Sequence, residues 1–323
     1  MRTWFLLPAL LLWSGAAQAQ NGSQCTPAAD VATITQDIAQ HGMVARFIRP
    51  EGAGPFPALL ILGGSEGGTR GVRAMAAPFA AQGYAVLALS YFRADGLPPA
   101  LDQILLETFD RGLAWLAAQP SVDRNRIGIF GISKGAEAAL LVASRRAGIR
   151  AVVAGSPSHV VWQGLSQDFA RRSSWSAGGA PLPFLPYEAS RGFVSIFKLY
   201  EDALPNLPQN AQAAIPVERI NGPILLISGR ADALWPSAAM AEAMVTRLRA
   251  RGFRHRVAHV SYADAGHMAP APPAIGPTRA EQLPMLGGTI EANDRARAQA
   301  WPVTICFFRE ALAPSRGRRP RAR

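Results

Sequence analysis

A chain of 323 residues that is 49% hydrophobic and 17% charged is too apolar for intrinsic disorder and long enough to bury the core of one large α/β domain. Its formal charge of +11 suggests a nucleic-acid partner, but six of the charges are arginines near the two ends (Arg2, Arg316, Arg318, Arg319, Arg321, Arg323), and without them +5 remains. Lysine occurs only at 134 and 198, so the excess is an arginine bias rather than a phosphate-binding face, and no nucleic-acid partner is expected.

The first nineteen residues read as a cleavable leader. Arg2 supplies the positive start, Phe5 to Trp13 the apolar stretch and Ala17-Gln18-Ala19 the small-x-small cleavage site, so the expected mature start is Gln20. No later run reaches the length needed to span a bilayer, which points to a secreted or periplasmic protein without a stable membrane anchor. Cys25 and Cys306 are the only cysteines. In an oxidising compartment they form one disulfide or stay as two buried thiols, and both readings stand.

After a polar N-terminal stretch containing His41, a strand is predicted over Met43 to Ile48 and a turn over Pro50 to Pro57. A buried strand, Ala58 to Leu62, then runs into the glycine-rich turn Gly63-Gly64-Ser65-Glu66-Gly67-Gly68. A helix around Ala74 to Gln82 stops at Gly83, and Tyr84 to Ser90 is the next strand. Leu105, Phe109, Leu113 and Leu116 recur at helical spacing, so a helix is predicted over Leu101 to Ala118, ended by Pro120.

Arg126 to Ile132 is then a strand and Ala136 onward a helix, and between them lies Gly131-Ile132-Ser133-Lys134-Gly135. This G-x-S-x-G between strand and helix has the context of a nucleophile elbow. The turn is tight enough to force Ser133 into a strained backbone conformation, and side chains at 131 and 135 would crowd the neighbouring strand and helix. The serine is thereby held above the strand end, over a helix N-terminus that favours negative charge.

Ala151 to Ala154 is a further strand. Residues 158–220, rich in proline, serine, glycine and aromatics, break the pattern and read as an insertion with short helices at most. Its aromatics (Trp162, Phe169, Trp175, Phe184, Tyr187, Phe193) either cover an acyl pocket or fill core. Alternation resumes with a strand over Pro223 to Ser228, a helix over Ser237 to Arg251, a strand over Arg256 to Tyr262 and a helix over Arg295 to Leu312. The expected fold is a mainly parallel, doubly wound sheet with helices on both faces, within a domain spanning 20–313, and a basic disordered tail over 314–323.

Catalytic groups in such sheets sit on loops past the carboxyl ends of strands. A serine hydroxyl needs a base to take its proton and the base needs an orienting acid, here expected in the chain order serine, acid, histidine. His267, after the last strand in Tyr262-Ala263-Asp264-Ala265-Gly266-His267, is the expected base. His159, at the start of the insertion, is its main rival and a candidate pocket residue. Asp232, just past the Pro223 to Ser228 strand, is the expected acid, and Asp264 a weaker rival too close in sequence to His267. The oxyanion hole would take the N–H of Lys134 and that of Ser65 or Glu66. A phosphate cradle in the glycine-rich turn lacks its Gly-Lys-Ser/Thr continuation.

The segments GISKGAE, AVVAGSPSHVVWQG, WSAGGAPLPFLPY, the Asp-x-x-Trp-Pro-Ser at Asp232 to Ser237, YADAGH and GGTIEANDRARAQAW together resemble one α/β-hydrolase branch. It is the C-terminal catalytic domain of acyl-CoA thioester hydrolases and bile acid-CoA:amino acid N-acyltransferases, related to dienelactone hydrolases. The likeness runs over roughly Leu101 to Leu312. It implies an α/β-hydrolase fold with Ser133 as nucleophile, Asp232 as acid and His267 as base. Apart from the resemblance, His159, Trp162 and Trp235 are the candidate substrate contacts. Animal members carry an N-terminal immunoglobulin-like domain, which is not expected before Ala58. The conjugating members use cysteine where this chain has Ser133, which favours hydrolysis.

The sequence therefore predicts a serine hydrolase of acyl thioesters or carboxylic esters, working through an acyl-enzyme on a small-molecule substrate without metal or cofactor. A transferase passing the acyl group to an amine or alcohol, and a non-catalytic acyl-binding protein, are the alternatives.

Overall fold

The computed structural model describes residues 25–314, apart from 41, 169 and 191. The leader expected at 1–19, the mature start at Gln20, His41, Phe169 and nearly all of the 314–323 tail lie outside the described residues. In chain order the first strands are β1 (Thr33–Gln40), β2 (Met43–Pro50) and β3 (Phe56–Leu62), followed by helix α1 (Arg70–Ala81) and strand β4 (Ala85–Ser90). Then come β5 (Ile104–Leu105), α2 (Glu107–Ala117), β6 (Val122–Ile132), α3 (Lys134–Arg145) and β7 (Ile149–Gly155). The short elements β8 (Trp175–Ala177), β9 (Ala180–Pro181) and α4 (Ile196–Glu201) precede β10 (Ile224–Gly229), α5 (Ser237–Ala250) and β11 (Val257–Tyr262). A one-turn helix, α6 (Leu283–Leu286), and the long α7 (Ile290–Ala311) close the chain.

Eight strands form one sheet in the order β1-β2-β4-β3-β6-β7-β10-β11. Only β2 runs against its neighbours, and every other pairing is parallel. The central strands show why this sheet needs helices on both faces. Along β3, Leu60 and Leu62 point into one core with α2, α3 and α5, while Leu59 and Ile61 point into the other with α1 and α7. A strand apolar at every position is stable only where neither face meets water.

Several boundaries differ from the sequence reading, three of them for a clear local reason. The polar stretch before Met43 contains β1, which pairs with β2 and buries only Ile38, so no apolar alternation marked it. Asp37 holds it there through a two-pronged ion pair with Arg46. The helix predicted from Leu101 begins at Glu107, because Ile104 and Leu105 pair instead with Trp175 and Ser176 in a small sheet, β5-β8-β9. The last helix begins at Ile290 rather than Arg295, since the Thr289 hydroxyl accepts the Ala292 N–H and caps it there.

Cys25 and Cys306 are joined as a disulfide, with Cα atoms 5.7 Å apart across 281 residues of sequence. It ties the described N-terminal residues to α7. Among the described residues no helix is long and apolar enough to cross a membrane.

Candidate active site

Ser133 stands between β6 and α3 with φ 58° and ψ −124°, a conformation that costs a non-glycine residue energy and persists only where the surroundings enforce it. The enforcement comes from the two flanking glycines. A Cβ on Gly131 would lie 2.1 Å from the Gly135 carbonyl oxygen, and one on Gly135 would lie 2.3 Å from that of Gly63. The Ser133 N–H donates to the Gly155 carbonyl at 2.9 Å, which pins the turn to β7.

Asp232 follows β10 and His267 follows β11, and these adjacent parallel strands bring the two together although 35 residues separate them. His267 Nδ1 lies 2.8 Å from Asp232 Oδ2, with both side chains buried. The carboxylate is saturated by donors. Its Oδ1 accepts from the N–H groups of Leu234 and Trp235, and Oδ2 also accepts the Ser237 hydroxyl at 2.6 Å. An ionised carboxylate only accepts, so the imidazole proton belongs on Nδ1 and Nε2 keeps a free lone pair. That Nε2 is buried without a hydrogen-bond partner.

Ser133 and His267 both line a cavity of about 800 Å³, together with Gly64, Ser65, Glu66 and Lys134. None of the hydrogen bonds present joins the Ser133 hydroxyl to His267 Nε2, so the two side chains share the cavity without being bonded. A Cβ placed on Gly64 would sit 3.1 Å from that of Ser133, which brings the glycine-rich turn against this serine. Tyr91 holds this turn by donating its hydroxyl to the Gly63 carbonyl at 2.6 Å. The Lys134 amide, at the first position of α3, is a donor the helix itself leaves unmet. The Gly64 amide is already occupied by the Glu66 carboxylate at 3.1 Å. Glu66 faces the open cavity, yet the chain crowding it desolvates the carboxyl and raises its pKa, against the pull of nearby backbone amides and of His267.

The structure takes several of the sequence candidates away from the cavity. Trp162 does not face the cavity. It is fully buried, bonded through its indole N–H to Ser158, and edge-stacked on Tyr200. Apart from Phe169, whose placement is outside the described residues, none of the aromatics proposed to cover the pocket lines it. Trp162, Trp175 and Tyr187 are core. His159 is likewise no pocket residue; burial and the Arg247 charge push its imidazole down to about 4. Asp264 is exposed on its turn and does not reach His267. The Lys134 side chain is 1% exposed and donates to Glu137 at 3.0 Å and to Ser174 at 2.8 Å. Trp235 does line the cavity, packing edge-on against His267 with ring centres 5.8 Å apart.

The sequence reading also missed residues that hold the site from behind. The Ser156 hydroxyl donates to the His267 carbonyl, and the Trp235 indole N–H to the Ser156 carbonyl. Asn293, buried on α7, accepts from the Gly266 N–H at 2.6 Å and donates to the Gly287 carbonyl at 3.0 Å, fixing the loop that carries His267. Gly287, with φ 75°, packs so closely on the loop carrying Asp232 that a Cβ would lie 1.9 Å from the Ala231 carbonyl oxygen. Ser237 and Asn293 stand inside the segments that carried the family resemblance, and that was their only signal in the sequence.

The family model described as BAAT / acyl-CoA thioester hydrolase C terminal matches residues 104–314. Acyl-coenzyme A thioesterase 5 of Mus musculus is 32% identical over 83% of this chain and 63% of its own length. The mitochondrial acyl-coenzyme A thioesterase 2 of Homo sapiens is 30% identical over 85% of this chain and 56% of its own. The chain thus spans less than two thirds of the length of these relatives. Among solved structures, a dienelactone hydrolase-like promiscuous phosphotriesterase from metagenomic libraries superposes with a TM-score of 0.55, at 18% identity, over 87% of this chain and 99% of that one. At that identity the likeness is one of fold.

Proposed function

The chain belongs to the BAAT / acyl-CoA thioester hydrolase C-terminal family, and from that premise we propose that it is a serine hydrolase of acyl thioesters or carboxylic esters. In this reading Ser133 attacks the acyl carbonyl while His267 Nε2 takes its proton. Asp232 steadies the resulting imidazolium through Nδ1. Negative charge on the tetrahedral oxygen rests on the Lys134 N–H and on that of Ser65 or Glu66, in a site partly shielded from water where such donors count most. The leaving thiol or alcohol departs with the proton from His267, and water repeats the sequence to free the acid.

The observation that carries this reading is the unpartnered Nε2 of a histidine already braced by a saturated carboxylate, in the same cavity as a serine held in a strained turn. A fluorophosphonate probe should label the wild type and not Ser133→Ala. A matched panel of oxygen esters and acyl-CoA thioesters, with Ser133→Ala as blank, then identifies the leaving group. Absence of labelling in a folded wild type would refute the proposal. Export belongs to the same proposal, and N-terminal sequencing of secreted protein should begin at Gln20.

A further inference from the structure

The arginine excess, which the sequence alone reads as a compositional bias, is not evenly spread over the molecule. Strands β6, β7, β10 and β11 run parallel, so their first residues share one rim of the sheet, while Ser133, Asp232 and His267 lie past the opposite one. Helices α3 and α5 end on that first rim, with Arg145 and Arg249 in their last turns. Arg124 on β6, Arg150 on β7, and Arg251 and Arg254 in the turn before β11 join them, and all six are exposed. Cations complement the dipole at a helix C-terminus, which accounts for the arginines ending α3 and α5 but not for Arg124, Arg150 or Arg254.

Asn221, just before β10, joins two of these turns into one surface: its amide donates to the Ala147 carbonyl at 3.1 Å and accepts from Arg254 at 2.7 Å. His255 sits among them, its imidazole held below the ordinary value by burial and then by the charges of Arg254 and Arg150. The neighbouring carboxylates are already engaged by other arginines. Asp110 pairs with Arg146, Asp123 with Arg126, Glu218 with Arg247 and Glu310 with Arg256, while none of the six exposed arginines has an ion pair among the described residues. These turns also hold none of the large hydrophobic side chains that are exposed among the described residues. A protein partner needs apolar groups at the centre of its contact and a single nucleic-acid strand needs rings to stack on, whereas an anionic lipid surface needs only charge. A duplex is read by a helix or ribbon that enters a groove, and here turns and strand ends face outward.

We propose that this rim docks the protein reversibly onto an anionic lipid surface, with the cavity turned away from the bilayer. Guanidinium groups suit the task because each can take two phosphate oxygens at once. Docking by the rim requires neither the hydrolase chemistry nor the arginines after residue 314, which lie outside the described residues.

Vesicle sedimentation of the full chain tests this. It should pellet with phosphatidylcholine vesicles containing ~30% phosphatidylglycerol and not with phosphatidylcholine alone, and partitioning should fall about tenfold or more as salt rises from about 0.05 to 0.5 M. Each arginine near such a surface contributes roughly fivefold, so Arg145→Glu/Arg150→Glu/Arg251→Glu should weaken partitioning by about a hundredfold. Should that variant not fold by circular dichroism, Arg124→Glu/Arg249→Glu on the same rim should weaken it by about twentyfold. Arg93→Glu/Arg171→Glu/Arg295→Glu changes the net charge as much as the first triple does. Its positions lie after β4, after β7 and in the first turns of α7, away from the rim, so it should pellet as the wild type does. Failure to pellet, equal binding to both vesicle types, insensitivity to salt, or equal loss in the two triple variants would overturn the proposal. So would full binding by the first triple, which would place the contact in the arginines after residue 314, or tighter binding to a DNA duplex than to vesicles at matched phosphate.

Discussion

Asp232 is saturated with hydrogen-bond donors. Four donors, the Nδ1–H of His267 among them, surround its two oxygens, so the charge is buried without being orphaned and the imidazole is locked into the tautomer that leaves Nε2 basic. Asp232→Asn keeps the shape but offers an amide that can turn its NH2 toward Nδ1, favouring the wrong tautomer. We expect kcat to fall by roughly 10⁴-fold with KM little changed, measured on the best ester from the panel. His159 makes a contrasting case, an imidazole buried without a partner for Nδ1. Its folded pKa of about 4 lies below the ordinary 6.5, so the unfolded chain binds the extra proton between these values. The stability it contributes is full above about pH 6.5 and is lost as pH falls toward 4. Between pH 7 and pH 5 this amounts to about 2 kcal/mol, and His159→Phe should flatten the pH dependence of urea unfolding over that window by a similar amount.

Helix α3 shows how an element can serve the site with its side chains as well as its end. Its first amide is the candidate oxyanion donor, while one turn on, Glu137 receives Lys134 on one oxygen and the Trp162 N–H and Trp175 indole N–H on the other. Burial lowers the Lys134 pKa and raises that of Glu137, and each charge offsets the other's shift. This pair clamps the segment after β7 onto the helix that follows Ser133. Lys134→Met leaves a buried carboxylate without its cation and should cost about 3–5 kcal/mol, read as a lower urea midpoint with unchanged slope. Adding Glu137→Leu should recover only part of that, because the two tryptophan N–H groups then lose their acceptor.

Across the whole molecule, the parallel sheet delivers the site by bringing three strand ends to one rim: β6 carries Ser133, β10 leads to Asp232 and β11 to His267. The Cys25–Cys306 disulfide acts far from that rim, closing nearly the whole described chain into a loop. A cross-link of that span restricts the unfolded ensemble by about 2–5 kcal/mol. Reduction, or Cys306→Ser, should lower Tm by roughly 5–15 °C in calorimetry while leaving the fluorophosphonate labelling rate unchanged below the transition.

The sequence by itself determined what local rules control. Apolar runs such as Leu59 to Leu62 demanded a strand buried on both faces, and the glycines at 131 and 135 announced a turn that no side chain could fill. The chain order of Ser133, Asp232 and His267 followed from loops placed after strands. Only the tertiary structure decided where long-range partners fall. Polar β1 became a strand because β2 was there to pair with it, and Leu101 to Leu106 left the predicted helix because Trp175 and Ser176 offered a ladder. Trp162 and His159 turned into the interior although their composition suited a pocket wall, and Lys134 found Glu137 and Ser174 rather than water. The physical reason is the same in each case: a residue's neighbours in sequence fix its backbone preference, but burial and pairing depend on groups tens of residues away.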